Sequence, residues 1–150
     1  MDDDAAFEPT AVDLRDYVAF DADRPAGRRA FATDVVAVDV VCLEPQQVVA
    51  ARTFHDADAI YTVLGGTAWI VTDHHEVVLE ALQAVMIPAG VPHGLRNTSP
   101  DPLIVQVVTS PPDEVPVLPE GPSPAAVEEH AGRERRPGVL ERMRRTLGSG

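Results

Sequence analysis

The stretch of residues 85–97 constrains the fold more than any other part of this 150-residue chain. An apolar run ends at Pro88, and Gly90, two residues later, permits a tight turn that most side chains would forbid. The chain then continues as a predicted strand in which His93 and Asn97 share one face, because side chains alternate along a strand. A histidine and an asparagine on one strand face, directly after a rigid turn, predict a polar site inside a β structure.

The middle of the chain, residues 31–109, is a series of short apolar runs rich in β-branched residues and separated by turn residues. Gly65 and Gly66 give a strong hairpin signal between two of these runs. No segment with the period of a helix interrupts the series. Short strands with turns between them are typical of a sandwich or a closed barrel. The predicted strands cover residues 35–43, 48–54, 60–64, 67–72, 77–79, 85–88, 91–97 and 103–109.

The flanking regions differ from this β region in composition. Residues 1–30 are acidic and weakly patterned, and we interpret them as an N-terminal extension of a barrel over 31–110. Residues 111–124 are rich in proline and predict a stiff, extended linker. Residues 125–150 predict a helical tail. Near its end, one helical face is apolar and the other carries arginines; the apolar residues are Val139, Leu140, Met143 and Leu147.

The charge of the chain bears on its partners. There are 24 acidic residues against 12 basic ones, all of them arginine, and the net charge is -12. This balance argues against nucleic acid or an anionic membrane as the partner of the body of the protein. The start Met1–Asp4 lacks the basic and apolar regions of a signal peptide, and the single Cys42 excludes an internal disulfide. We therefore expect a cytoplasmic protein in which Cys42 is a small buried hydrophobe.

The turn and strand around His93 resemble the second motif of the cupin superfamily, G-x5-P-x-G-x2-H-x3-N. Pro88, Gly90, His93 and Asn97 match this motif at every spacing, while Leu82 stands where the first glycine is expected. The resemblance covers roughly residues 35–110. It implies an all-β, antiparallel barrel of the jelly-roll type, usually found as a homodimer.

The first cupin motif, G-x5-H-x-H-x3-E-x6-G, can be laid over residues 47–66 without a gap. His55 then takes the second histidine position and Gly66 the final glycine. The other three motif positions, a glycine, a histidine and the glutamate, are replaced by Gln47, Thr53 and Ala59. The first motif is therefore degenerate, and its support comes mainly from the spacing.

The resemblance also bears on a cofactor. Cupins that bind Fe, Mn, Ni or Zn generally use three histidines and one glutamate, and this chain keeps only His55 and His93. The resemblance implies at most a weakly held divalent metal at these two residues, because most functional sites supply three or four protein ligands. Tyr61 shares a strand face with Ala59 and Val63, so it either projects its phenol into the same cavity or is a half-buried aromatic of the strand. Strand alternation also predicts that Arg52 and Arg96 point away from the cavity.

Three functions remain open from the sequence. The first is a barrel that binds a small organic molecule through His55, Tyr61 and His93, without redox chemistry. The second is a metal-dependent enzyme of the dioxygenase, isomerase or cyclase type, in which substrate or solvent completes the coordination at His55 and His93. The third is metal-free catalysis with His93 as base and Tyr61 as acid. No motif of a serine hydrolase, a dithiol, a P-loop or a dinucleotide site is present.

Overall fold

The computed structural model describes residues 6–112, which form nine β-strands and one short 3₁₀ helix, Leu14–Tyr17. Every paired strand is antiparallel to its neighbour. The strands are β1 (Ala26–Ala32), β2 (Ala37–Leu43), β3 (Val48–Arg52), β4 (Asp58–Gly65), β5 (Ala68–Thr72), β6 (Glu76–Leu79), β7 (Ala84–Ile87), β8 (His93–Arg96) and β9 (Leu103–Ser110).

The strands form two sheets that face each other. One sheet has five strands in the order β1-β2-β9-β4-β7, and the other has four in the order β3-β8-β5-β6. Most neighbours in the sheets are distant in sequence, as when β2 pairs with β9, and only β1 with β2 and β5 with β6 are consecutive, so the chain crosses repeatedly from one sheet to the other. This arrangement confirms the predicted antiparallel jelly-roll barrel.

Side-chain alternation places the main apolar core between the two sheets. On β4, Ala59, Tyr61 and Val63 are buried, whereas Ile60 between them faces outwards and is exposed. Val105 and Val107 on β9 and Ile70 and Leu95 on the opposite sheet join the same core. The barrel interior is therefore largely apolar, and the few polar side chains inside it are distinctive.

A second, smaller core lies on the outside of the five-stranded sheet. There Val40, Cys42 and Ile104 are buried. The side chains that cover them come from the N-terminal residues before β1 and from β4; they are Leu14, Tyr17, Val18, Phe20 and Leu64. Part of the predicted N-terminal extension thus packs on the barrel, and the sheet itself begins at Ala26, before the predicted start of the barrel at residue 31.

The C-terminal predictions fall mostly outside the described residues. The proline-rich linker is described only as far as Pro112, and the helical tail over 125–150 lies wholly beyond this point. Within residues 6–112, no helix has both the length and the apolar character needed to cross a membrane.

Candidate functional site

The turn before β8 fixes the position of His93. Gly90 has a φ of 86°, a left-handed conformation that glycine adopts without steric cost, and no atom crowds the place where a side chain would begin. Its amide donates a hydrogen bond to the carbonyl oxygen of Phe54, and the amide of Val91 donates to that of Pro88. The turn is therefore held at both ends, and it delivers His93, which is 3% exposed, to the inside of the barrel.

Both ring nitrogens of His93 are hydrogen-bonded. Nδ1 lies 3.0 Å from the carbonyl oxygen of Val91, and because a carbonyl can only accept, Nδ1 carries the proton. Nε2 lies 2.6 Å from the hydroxyl oxygen of Tyr61, which donates to it. This arrangement requires the neutral imidazole, with Nε2 as the basic atom. The structure thus brings together the predicted site residues His93 and Tyr61.

Burial keeps this pair uncharged. It lowers the pKa of His93, and the nearby charge of Arg52 lowers it further, while the hydrogen bond to the Val91 carbonyl acts in the opposite direction. Burial also raises the pKa of Tyr61, with Arg52 partly opposing that shift. The desolvation of a charged form is the dominant cause in both cases. At neutral pH the site therefore holds a neutral base and a neutral acid in hydrogen-bond contact, close to a positive charge.

A small cavity of about 10 Å³ lies beside this pair. This is about the least volume that accommodates one water molecule. The side chains around it are mostly apolar, and the polar ones are the pair itself and an arginine. The lining residues are Val41, Val49, Arg52, Tyr61, His93, Gly94 and Leu95.

The place of Arg52 in this lining corrects the sequence prediction that it points away. Val49 pairs with Leu95, and Arg52 pairs with His93, so β3 carries one more residue than β8 between the two pairs. Such a β-bulge reverses the alternation of side chains beyond it. Arg52 is consequently on the cavity side. A one-residue bulge leaves no clear signal in the residues Ala50 and Ala51 that contain it.

The bulge also affects the residues that follow. Phe54 is buried and its ring centroid lies 5.6 Å from that of His93, a contact that the sequence did not predict. His55, the next residue, is exposed and is not among the residues that line the cavity. Arg96 points away from the cavity as predicted, with its guanidinium 5.7 Å from the centre of the Trp69 ring.

The donor set does not fit a resident metal ion. Ala59, at the position of the motif's glutamate, faces inwards but has no donor atom. The Nε2 atom of His93 already accepts the proton of Tyr61. Over residues 6–112, no three His, Cys, Asp or Glu side chains come close enough to share a cation.

Asn97 supports the site without lining it. Its side chain is fully buried, and its amide nitrogen donates to the carbonyl oxygens of Leu43 and Asp101. Its amide oxygen accepts from the backbone and the hydroxyl of Ser99. Asn97 therefore ties the end of β8 to the backbone of two other segments.

Comparison with known proteins gives the family context of this site. A family described as the cupin domain matches residues 39–109. A protein from Thermus thermophilus is 29% identical, with 67% of this chain and 96% of that chain covered and a TM-score of 0.64. A conserved Klebsiella pneumoniae protein with a double-stranded β-helix domain is 24% identical, with coverages of 69% and 91% and a TM-score of 0.65.

A third solved structure is more distant in sequence. An RmlC-like cupin protein from Desulfovibrio desulfuricans is 18% identical and has a TM-score of 0.64, with 71% of this chain and 100% of that chain covered. At this identity the likeness concerns the fold alone. No curated protein sequence matches this chain.

Proposed function

The chain belongs to the cupin superfamily, and from this premise we propose that its barrel binds a small organic molecule at the His93–Tyr61 pair. The observation that carries the proposal is the buried hydrogen bond between these two side chains, beside a cavity in an otherwise apolar interior. Mostly apolar pockets with a few placed polar groups are the usual sites for small ligands.

The charge of the site favours one class of ligand. Arg52 is the cationic residue among those lining the cavity, and its charge acts on both His93 and Tyr61. A guanidinium recognises carboxylates and other planar anions through paired hydrogen bonds. We therefore expect a small carboxylate. Because the cavity has room for about one water molecule, such a ligand enters only when a lining side chain such as Arg52 changes its rotamer.

Thermal unfolding of the full chain with small carboxylates tests this function. A panel of mono-, di- and hydroxycarboxylates should contain acids that raise Tm, because a ligand stabilises the folded state that binds it. Neutral alcohols of the same carbon skeleton should have less effect. Tyr61→Phe should abolish the shift, whereas Tyr17→Phe, a matched change outside the barrel, should preserve it. Equal shifts in both variants, or no shift with any acid of the panel, would contradict the proposal.

The 2.6 Å hydrogen bond also favours a second function, metal-free proton transfer. In this function the bound ligand first separates the Tyr61 hydroxyl from Nε2 of His93. Nε2 then accepts a proton from the carbon next to a ligand carboxyl or carbonyl, and Tyr61 donates its own proton to the developing oxyanion. Exchange of that carbon-bound hydrogen in D₂O, followed by NMR, measures the step for any acid that binds. The exchange should disappear in His93→Gln while binding of the acid persists. Exchange at the uncatalysed rate in the unmodified protein would exclude this function and leave binding intact.

A further inference from the structure

An apolar row crosses the outer face of the five-stranded sheet, on the side opposite to the candidate site. The registers of four successive strand pairs place its members side by side, one from each strand. In spatial order they are Phe31, Val38, Val108, Ile60 and Met86. We call this row the apolar stripe. Phe31 is 47% exposed, Ile60 is 40% exposed and Met86 is 58% exposed.

The apolar stripe lies beyond the part of this face that the N-terminal residues cover. Leu14, Tyr17, Val18 and Phe20 pack against Val40, Cys42 and Ile104, none of which belongs to the stripe. Single exposed apolar side chains are normal on protein surfaces, whereas here five apolar side chains from successive strands form a continuous row from edge to edge of the sheet.

The dimensions of the apolar stripe favour a single helix as its occupant. Four spacings of about 4.8 Å between strands give a length of about 19 Å, and a row of side chains on one face is about 7 Å wide. The resulting area, roughly 130 Å², is far below the roughly 800 Å² that each partner buries in a stable interface. A helix of 12 residues is about 18 Å long, which matches the length of the stripe.

The chain itself contains a segment with these properties. We propose that residues 139–150 dock on the apolar stripe of the same molecule. This segment is 12 residues long, and Val139, Leu140, Met143 and Leu147 recur at the spacing of one helical face. The helical pattern ends before Gly148, so these side chains span about 12 Å of the stripe. Among the described residues, the exposed members of the stripe have no apolar partner that covers them. These four side chains supply such a partner.

The path of the chain is compatible with this docking. Val108 is a member of the apolar stripe, and β9 ends two residues later at Ser110. The described chain therefore stops, at Pro112, near the stripe itself. Between Pro112 and Val139 there are 26 residues. A flexible chain of this length has an end-to-end distance of about 25 Å, which is more than the 19 Å length of the stripe.

Charge complementarity supports the same occupant over a second copy of the barrel. Residues 6–112 contain fourteen acidic residues and six arginines, whereas residues 139–150 contain three arginines and one glutamate. Asp58 lies on the same face of β4 as Ile60, two residues away, and is exposed. A basic segment is attracted to this surface, and a second acidic barrel is repelled by it.

Oxidation of methionines in the full chain tests the docking. Met86 on the stripe and Met143 in the segment are both native probes, because hydrogen peroxide converts an accessible thioether to the sulfoxide. Val48→Met adds a reference on the other sheet, where Val48 is 53% exposed. If the segment covers the stripe, Met86 should be oxidised at least about fivefold more slowly than this reference. Peptide mass spectrometry gives both rates in one sample.

Substitutions in residues 139–150 test the docking without changing any residue of the barrel. Leu140→Ser combined with Leu147→Ser should bring the rate of Met86 up to that of the reference, and Thr146→Ser should leave Met86 protected. Equal rates at Met86 and the reference in the parent chain would overturn the proposal. Protection that survives the double variant would also overturn it, and its loss on dilution would identify a second copy as the occupant.

Discussion

Leu82 has a φ of 71°, in the left-handed region that favours glycine, and it occupies the position where the second cupin motif has its first glycine. Its amide donates to the carbonyl oxygen of Val63, which holds the turn between β6 and β7 in this conformation. Gln46, in the turn before the first motif, has a φ of 74° and is a similar case. Both turns therefore carry backbone strain that a glycine would not.

Replacement of Leu82 provides a direct measure of this strain. Leu82→Gly should have a free energy of unfolding about 1 kcal/mol above that of Leu82→Ala, because only glycine adopts the left-handed region without a Cβ clash. Leu82 is 75% exposed, so both variants lose little packing. Urea denaturation of the two variants gives the difference. A glycine variant less stable than the alanine variant would show that the turn carries no such strain.

The buried imidazole of His93 makes stability depend on pH. Burial lowers the pKa of His93 in the folded state, so the unfolded chain, with a histidine pKa of about 6.5, binds the proton more strongly. The free energy of unfolding should consequently fall as the pH decreases below about 6.5, by at most about 1.4 kcal/mol per pH unit from this one group.

Denaturation of variants between pH 8 and pH 5 isolates that contribution. His93→Gln should show a weaker loss of stability with acid than the parent protein. His74→Gln, which changes a histidine in the exposed turn between β5 and β6, should keep the parental slope. Identical slopes in all three proteins would mean that His93 can be protonated in the folded state without cost.

The same hydrogen bonds at His93 lead to a prediction about metal removal. Ala59 provides no carboxylate, and the Tyr61 hydroxyl is hydrogen-bonded to Nε2 of His93. The folded state should therefore not depend on a bound cation. Dialysis against a chelator should leave Tm unchanged within about 1 °C, because removing an ion lowers Tm only where the folded state binds it. Addition of Fe, Mn, Ni or Zn should not raise Tm in a manner that His93→Ala removes. A chelator-induced fall in Tm that is absent in His93→Ala would contradict this expectation.

Among the elements, β3 shows why the composition of the site was only partly predictable. The second motif predicted the inward position of His93, because a proline and a glycine fix the turn before it through local chemistry. Tyr61 takes the inward one of its two predicted positions, because β4 alternates without interruption inside the barrel. Arg52 was placed on the wrong side because the bulge opposite His93 adds one residue between two alanines, which impose no local preference.

The N-terminal residues before β1 form an element that packs on the barrel through one apolar cluster. Their apolar side chains are spaced too irregularly to mark a strand or a long helix, yet they cover Cys42. Burial raises the pKa of the Cys42 thiol to about 12, so the reactive thiolate is scarce at neutral pH. Reaction of this thiol therefore requires the N-terminal residues to move away.

Labelling of Cys42 with a disulfide reagent reports this movement. The native protein should react far more slowly than the urea-unfolded chain. Phe20→Ala should accelerate native labelling about fivefold or more, because loss of a half-buried aromatic ring weakens the docking by about 1 kcal/mol. Val12→Ala, a matched change at an exposed residue outside this contact, should have no effect. Equal rates in both variants would show that Cys42 becomes accessible by another route.

At the scale of the whole molecule, charge repulsion opposes the compact fold. The net charge of the chain is -12, and the described ion pairs, such as Arg29 with Asp39, neutralise only a few of its carboxylates. Salt screens repulsion among exposed charges over a distance of about 10 Å at 0.1 M. The excess of like charge should therefore outweigh the attractive pairs in the response of stability to salt.

Thermal unfolding at increasing sodium chloride concentration tests this balance. At pH 7, Tm should rise by several degrees between low salt and moderate salt, because screening relieves repulsion in the folded state more than in the expanded chain. At pH 4.6, near the isoelectric point of about 4.6, the same addition should change Tm little. A fall in Tm with salt at pH 7 would mean that attraction between the arginines and their acidic neighbours dominates the electrostatics of the fold. The basic segment 139–150 takes part in the same charge balance, because its arginines offset part of the negative charge of the barrel.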